Sequence, residues 1–182
     1  FGAEYRTCDD NYIGKGVDQI EYVINEITNN PTSRRIIISA WNPPDLDKMA
    51  LPPCHVMCQF HVNQKVRVLD CQLYQRSGDM FLGVPFNITS YSLLVYMICE
   101  VLNNDPKNSM KFKPDKLKIS FGDLHIYQQH YDSVKLQLNN VPYHFPQIKF
   151  TNNRTKLQDF IYEDIILENY FQNIKKPGDE IV

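Results

Sequence analysis

The sequence predicts an α+β fold, a mixed β-sheet packed on helices in a single domain, and three observations carry that expectation. Apolar residues Val17, Ile20, Val23, Ile24 and Ile27 recur at helical spacing. Two strand-like runs, residues 54–62 and 66–74, flank the turn residues Asn63-Gln64-Lys65. A long apolar stretch, residues 85–102, reads as a helix stopped by Asn103-Asn104-Asp105-Pro106. Helices and strands in this arrangement suit a sheet with helices against it.

The first helix has a plausible stop at Asn29-Asn30-Pro31. Residues 34–41, rich in isoleucine, read as a buried strand introduced by Arg34-Arg35. Pro43-Pro44-Asp45 starts a short turn or helix that ends near Pro52-Pro53. Beyond the long helix, residues 106–115 read as a polar loop, 117–121 as a strand and 126–138 as a helix. Residues 147–151 and 160–167 read as strands, and the tail around Lys175-Lys176-Pro177-Gly178-Asp179-Glu180 as a polar loop. With no internal repeat, low-complexity tract or linker, residues 1–182 read as one domain.

A chain of 182 residues is long enough for one sizeable core. At 43% apolar and 22% charged residues the composition is that of a globular protein. A net charge of -2 gives no global attraction to nucleic acid or anionic membrane, so an anion site must be a local cluster of arginines. The longest apolar run reads as too short for a bilayer span, and Phe1-Gly2-Ala3-Glu4-Tyr5 lacks a secretory leader's pattern. The five cysteines, Cys8, Cys54, Cys58, Cys71 and Cys99, are odd in number, which argues against a disulfide framework and for a reducing, cytoplasmic compartment. Cys58 and Cys71 lie in strand-like runs and read as core. The histidines are not spaced as metal ligands, so no metal is expected.

The richest chemistry lies in residues 75–87, Gln-Arg-Ser-Gly-Asp-Met-Phe-Leu-Gly-Val-Pro-Phe-Asn, read as a glycine-containing loop ahead of the long helix. Its groups suit an anionic ligand that also carries a hydrogen-bonding ring. Cys54 follows Pro52-Pro53, a stiff pair that fixes how the cysteine enters its strand. Most such cysteines are inert core residues; a nucleophile needs a nearby cation, and Arg76 on a neighbouring strand could supply it. Arg34 and Arg35 are either a solvated strand end or phosphate-binding forks. Asp79 reads as a turn residue or a ligand group. Asn87 reads as a helix cap or as a side chain that both donates and accepts, matching the N3–H and O4 of a uracil ring. His125 and Tyr127 are two apart, on one face if extended, and could hold a sugar hydroxyl.

In order along the chain, Phe1-Gly2-Ala3-Glu4-Tyr5, Gly16-Val17-Asp18-Gln19, Arg34-Arg35-Ile36-Ile37, Ala40-Trp41-Asn42, Met49-Ala50-Leu51-Pro52-Pro53-Cys54-His55, residues 75–87, Ser90-Tyr91 and Gly122-Asp123-Leu124-His125-Ile126-Tyr127 resemble the thymidylate synthase family. One such motif arises by chance; all of them in sequence are specific.

The resemblance implies a thymidylate synthase-like fold whose sheet face lies at a homodimer interface. It implies reductive methylation of dUMP to dTMP, with 5,10-methylenetetrahydrofolate as one-carbon and hydride donor and Cys54 adding to C6 of the pyrimidine. It implies catalytic roles for Cys54, Arg76, Asp79 and Asn87. Arg76, Ser77, Gly78, Asp79, Asn87, His125 and Tyr127 would bind dUMP, with Arg34 and Arg35 reaching the partner's site. Asp79, Leu82, Gly83 and Phe86 would line the folate pocket. The family's phosphate-loop arginine, catalytic glutamate, folate-stacking tryptophan and a catalytic tyrosine are expected ahead of Phe1, within a longer or bifunctional polypeptide, so residues 1–182 alone are expected to be inactive. The tail from Tyr170 to Val182 matches the family poorly, so the resemblance does not extend to a segment that closes over folate. The alternatives are a deoxyuridylate hydroxymethylase and a non-catalytic nucleotide- or RNA-binding protein of the same fold, although the net charge argues against a dedicated RNA binder.

Overall fold

The computed structural model describes residues 17–171. Phe1-Gly2-Ala3-Glu4-Tyr5, Cys8, Gly16 and the tail beyond Phe171 lie outside the described residues. Helix α1 (Gln19–Asn29) opens where the Asp18 carboxylate accepts from the backbone N–H groups of Ile20 and Glu21, each at 3.2 Å. This side-chain cap satisfies two of the donors that a helix start leaves free. Strand β1 (Ile37–Ser39) follows, then a 3-10 turn at Pro43–Lys48. Strands β2 (His55–Asn63) and β3 (Val68–Asp79) form a hairpin, and helix α2 (Gly83–Asn104) carries the chain from β3 to β4 (Lys113–His125). Helix α3 (Tyr131–Leu138) and the pair β5 (Gln147–Phe150) and β6 (Ile165–Glu168) complete the described chain.

The main sheet has the order β1-β2-β3-β4. The first two pairings are antiparallel and β3–β4 is parallel, so the sheet is mixed, as the sequence predicts. Period-2 alternation puts Cys58, Phe60 and Val62 of β2 and Leu69, Cys71 and Leu73 of β3 on one buried face. Val23 and Ile27 of α1 and Tyr91, Val95, Ile98, Cys99 and Leu102 of α2 belong to the same core cluster. On the opposite parity, His61, Gln72, Tyr74, Lys118 and Ser120 are exposed, and the Gln72 amide donates to the Ser120 hydroxyl at 3.0 Å. Arg34, Gln59, His61, Gln72 and Lys118 border a depression of 770 Å³.

Several element limits differ from the sequence reading, each for a physical reason. β1 keeps only three of the eight residues expected, because its pairing with β2 runs from Ile37 to Ser39. β3 continues through Asp79, so residues 75–79 are strand and not a flexible glycine loop; parallel pairing with β4 extends from Val68 to Asp79. Gly78 is buried there. An added Cβ would lie 2.9 Å from the Phe121 ring and 3.1 Å from Val84, so glycine permits close packing rather than motion. β4 begins at Lys113, inside the segment read as a loop. The preceding turn is held by buried or half-buried asparagines: Asn103 bonds both the N–H and the carbonyl of Phe112, and Asn108 donates to Leu102 and accepts from Met110.

Helix α2 starts at Gly83, two residues before Pro85, and spans 22 residues. By length and composition it could cross a membrane, which corrects the expectation that no apolar run is long enough. Its buried residues instead lie against the sheet in the core. Helix α3 begins at Tyr131, after a 3-10 turn at Gln128–His130, leaving Ile126 and Tyr127 outside helix. β6 starts at Ile165, because Leu157–Asp159 and Tyr162–Asp164 are 3-10 turns. Around those turns the fully buried Asp164 carboxylate accepts from Arg154 at 2.8 and 3.1 Å, from Asn152 at 2.6 Å and from the Ile161 N–H at 3.1 Å. The carbonyl of Arg154 accepts from Asn104 at 3.2 Å, tying this cluster to the end of α2.

Candidate active site

The carboxyl ends of β3 and β4, the start of β2 and the amino end of α2 meet at one end of the sheet. His55 pairs with Gln75, and Asp79 with His125, in the strand registers. Open sheets with parallel strands leave a crevice at this position. Most of the residues singled out from the sequence converge there because the polar end of β3 runs directly into α2.

Cys54 is half-buried and not in a disulfide, and its carbonyl accepts from the Arg76 N–H at 2.8 Å. The Arg76 side chain folds back on the same turn. Its Nε donates to the carbonyl of Pro53 at 3.0 Å and its Nη2 to that of Pro52 at 2.7 Å, and the guanidinium lies 5.9 Å from the centre of the Trp41 ring. Proline carbonyls are free to accept because no ladder bond uses them here, and a planar fork reaches two at once. Arg76 is thereby fixed beside the segment that delivers Cys54. The next residue, His55, places Nδ1 3.0 Å from the Tyr91 hydroxyl of α2. Burial lowers the pKa of His55 and favours the neutral ring.

Asn87 lies within the first turns of α2, four residues past Gly83, so it is not the helix cap; Leu82 holds that position without a side-chain cap. The Asn87 Oδ1 accepts from Gln75 Nε2 at 2.9 Å, and the same nitrogen donates to the Ser77 carbonyl at 3.0 Å. Gln75 is 2% exposed, and its Oε1 has no partner. The sequence reading passed over Gln75. Its signal is positional: Leu69, Cys71 and Leu73 face the core, and Gln75 is a polar residue at the next inward position.

Asp79 Oδ1 accepts from the Phe81 and Leu82 N–H groups at 3.1 and 3.4 Å, so the carboxylate braces the turn into α2. Leu82 and Phe86 are 50% and 73% exposed, an open apolar wall beside it. A Cβ on Gly83 would lie 3.7 Å from Asp79 and 4.0 Å from Asn87 Oδ1. Nothing in the fold forbids that methyl; glycine keeps the space between the two side chains clear.

His125 ends β4, and its carbonyl accepts from Met80 at 2.9 Å. Its ring lies edge-on to Tyr127, centroids 5.0 Å apart, and its Nδ1 is 3.4 Å from Asp123. The two rings are therefore in contact, with Tyr127, just beyond the end of the strand, half-exposed. Arg34 and Arg35 are exposed and stand apart, on the approach to β1; neither guanidinium pairs with an acid among the described residues. Among the described residues no group of three or more His, Cys, Asp or Glu could hold a metal ion. Cys58 and Cys71 are buried, and a hydrogen bond donated by the Cys71 thiol to Cys58, together with burial, drives that thiol's pKa far above the usual range. Burial pushes Cys99 up to about 12.

The fold and site define an α+β protein that gathers, at one end of its sheet, a half-buried thiol, a braced guanidinium, a pair of linked amides and a carboxylate. The model of the thymidylate synthase family matches residues 1–178, and the chain belongs to that family. It is 49% identical over 170 residues to a thymidylate synthase of Homo sapiens, covering 93% of this chain and 51% of that protein. A Saccharomyces cerevisiae thymidylate synthase is 46% identical over 178 residues, with 93% and 56% covered. A bifunctional dihydrofolate reductase-thymidylate synthase of Plasmodium berghei is 46% identical over 175 residues, with 96% of this chain and 28% of that protein covered. The chain thus spans about half the length of the thymidylate synthases it matches.

Proposed function

We propose that the protein carrying this chain methylates dUMP to dTMP, using 5,10-methylenetetrahydrofolate and releasing dihydrofolate. The Cys54 thiolate adds to C6 of the pyrimidine, which makes C5 nucleophilic. C5 bonds to the methylene carbon of the folate and gives up its proton to a base. The bond from that carbon to the folate nitrogen breaks. The released tetrahydrofolate gives a hydride to the carbon and becomes dihydrofolate, and Cys54 leaves C6 as the pyrimidine double bond re-forms. Arg76 and Ser77 hold the nucleotide phosphate, Asn87 reads N3–H and O4, and His125 with Tyr127 holds the ribose hydroxyl. Gly78, packed closely against Phe121 and Val84, contributes to nucleotide binding through its backbone. Asp79 orients the pterin against the wall of Leu82, Gly83 and Phe86, whose exposure and open glycine gap fit a flat ring.

The observation that carries the reading is the meeting of Cys54 with Arg76, and of Asn87 with Asp79 across Gly83, at one end of the sheet. The second copy of a homodimer lies against the polar sheet face, with Arg34 and Arg35 reaching its phosphate site. Support comes from their exposure beside the depression that Gln59, His61, Gln72 and Lys118 border. Tritium release from 5-tritiated dUMP by the full-length protein, dependent on methylenetetrahydrofolate and matched by dTMP formation, tests the reading. Folate-dependent release without dTMP would overturn it.

A further inference from the structure

Gln75 donates from one nitrogen to two acceptors, and this fixes the polarity of its neighbour. The Ser77 carbonyl can only accept, so the amide nitrogen of Gln75, not its oxygen, must face it at 3.0 Å. The same nitrogen lies 2.9 Å from the Asn87 side chain, so Asn87 must turn its oxygen toward Gln75 and its NH2 away. This follows from donor and acceptor chemistry alone, without a choice of amide orientation. Gln75 is also an expensive residue for a core position. It is 2% exposed and leaves Oε1 without a partner, whereas Leu73, two residues earlier on the same face, is apolar.

We propose that Gln75 is a positioning residue that sets pyrimidine specificity by locking the Asn87 amide in the uracil-reading orientation. The inference rests on Asn87 being the base reader. With its oxygen toward Gln75, Asn87 still has an acceptor lone pair for N3–H, and its NH2 is left to donate to O4. The reversed amide would offer a donor to N3 and an acceptor to an exocyclic amine, which is the pattern of cytosine. Gln75 therefore makes discrimination against dCMP a property of β3 as well as of Asn87.

The test uses Gln75→Met and Gln75→Glu in the full-length protein, with the ratio of kcat/KM for dUMP to that for dCMP as readout. Methionine removes the donor with little change in volume, and the amide of Asn87 becomes free to reverse. The carboxylate of Gln75→Glu attracts the Asn87 NH2. The expected ratio falls by about tenfold or more in Gln75→Met, and further in Gln75→Glu. A purely packing role would lower Tm and reduce both substrates alike, leaving the ratio unmoved. In an Asn87→Ala background, Gln75→Met should leave the ratio unchanged, since the effect passes through Asn87. Should either variant be too unstable to assay kinetically, equilibrium binding of dUMP and dCMP at low temperature gives the same ratio. An unchanged ratio in the variants, or a shift that persists without Asn87, overturns the proposal. A wild-type protein that does not turn over dUMP overturns the functional reading instead.

Discussion

The Arg76 guanidinium closes on the Pro52 carbonyl at 2.7 Å and joins the turn before Cys54 to the carboxyl end of β3. Two structural segments that are 24 residues apart in the chain are thereby one mechanical unit at this end of the sheet.

Arg76→Lys keeps the charge but cannot bond Pro52 and Pro53 together, because an ammonium lacks the planar fork. Hydrogen bonds from charged groups contribute about 1.5–3 kcal/mol, so the variant should lose stability of that order. It should also lose most of its turnover, because Cys54 is no longer held. Chemical denaturation and steady-state kinetics check both. A variant with wild-type stability and turnover would show that the fork is dispensable.

Thiol reactivity should separate the cysteines sharply. Cys58, Cys71 and Cys99 are buried, and Cys71 and Cys99 are pushed toward the unreactive thiol form. A brief iodoacetamide pulse on native protein, followed by peptide mass spectrometry, should label Cys54 well ahead of these three. Equal labelling would contradict the burial described.

The ion pair of Arg154 with Asp164 should appear in the pH dependence of stability. Hydrogen bonds from Arg154, Asn152 and the Ile161 N–H hold the Asp164 carboxyl below its ordinary 3.8. A depressed folded-state pKa gives stability that is fully present above the unfolded value and is lost as pH falls through the folded one. The stability gap between wild type and Asp164→Asn should therefore be widest near neutrality and close progressively below pH 3.8. Denaturation curves over an acid series check this; a gap independent of pH would exclude the carboxylate as its source.

Subunit mixing tests the placement of Arg34 and Arg35. Full-length Arg35→Glu and full-length Cys54→Ala should each be inactive as homodimers. If Arg35 serves the partner's phosphate site, a heterodimer has one site with both defects and one with neither. Activity should return toward half of wild type per heterodimer, with exchange followed by mass spectrometry. Verified exchange without recovered activity would place Arg35 outside the partner's site.

How much of this was legible follows from where the signal lives. β2, the first part of β3 and α2 announce themselves through alternation and helical spacing, because their apolar faces enter the core. The end of β3 does not. Gln75-Arg76-Ser77-Gly78-Asp79 has loop composition, and only its backbone register with β4 makes it strand. β4 hides similarly, since Lys113-Pro114-Asp115-Lys116 is polar and three of these four are exposed. Cys54, Arg76, Asp79 and Asn87 stood out through unusual neighbours. Gln75 did not stand out, because its only signal is a break in the inward parity of Leu69, Cys71 and Leu73. Arg154 and Asp164 carry no local pattern, because they lie ten residues apart and only tertiary folding brings them together.

The most direct measurement is covalent trapping. Full-length protein is incubated with 5-fluoro-dUMP and methylenetetrahydrofolate, and the adduct is located by intact mass and peptide mapping. The fluorine at C5 cannot leave as a proton would, so the nucleophile should stay attached at C6. The expected result is one nucleotide–folate adduct on the peptide bearing Cys54, absent in Cys54→Ala, which should also have lost dTMP formation. An adduct on another residue, or turnover that survives Cys54→Ala, would contradict the assignment of Cys54 as the nucleophile.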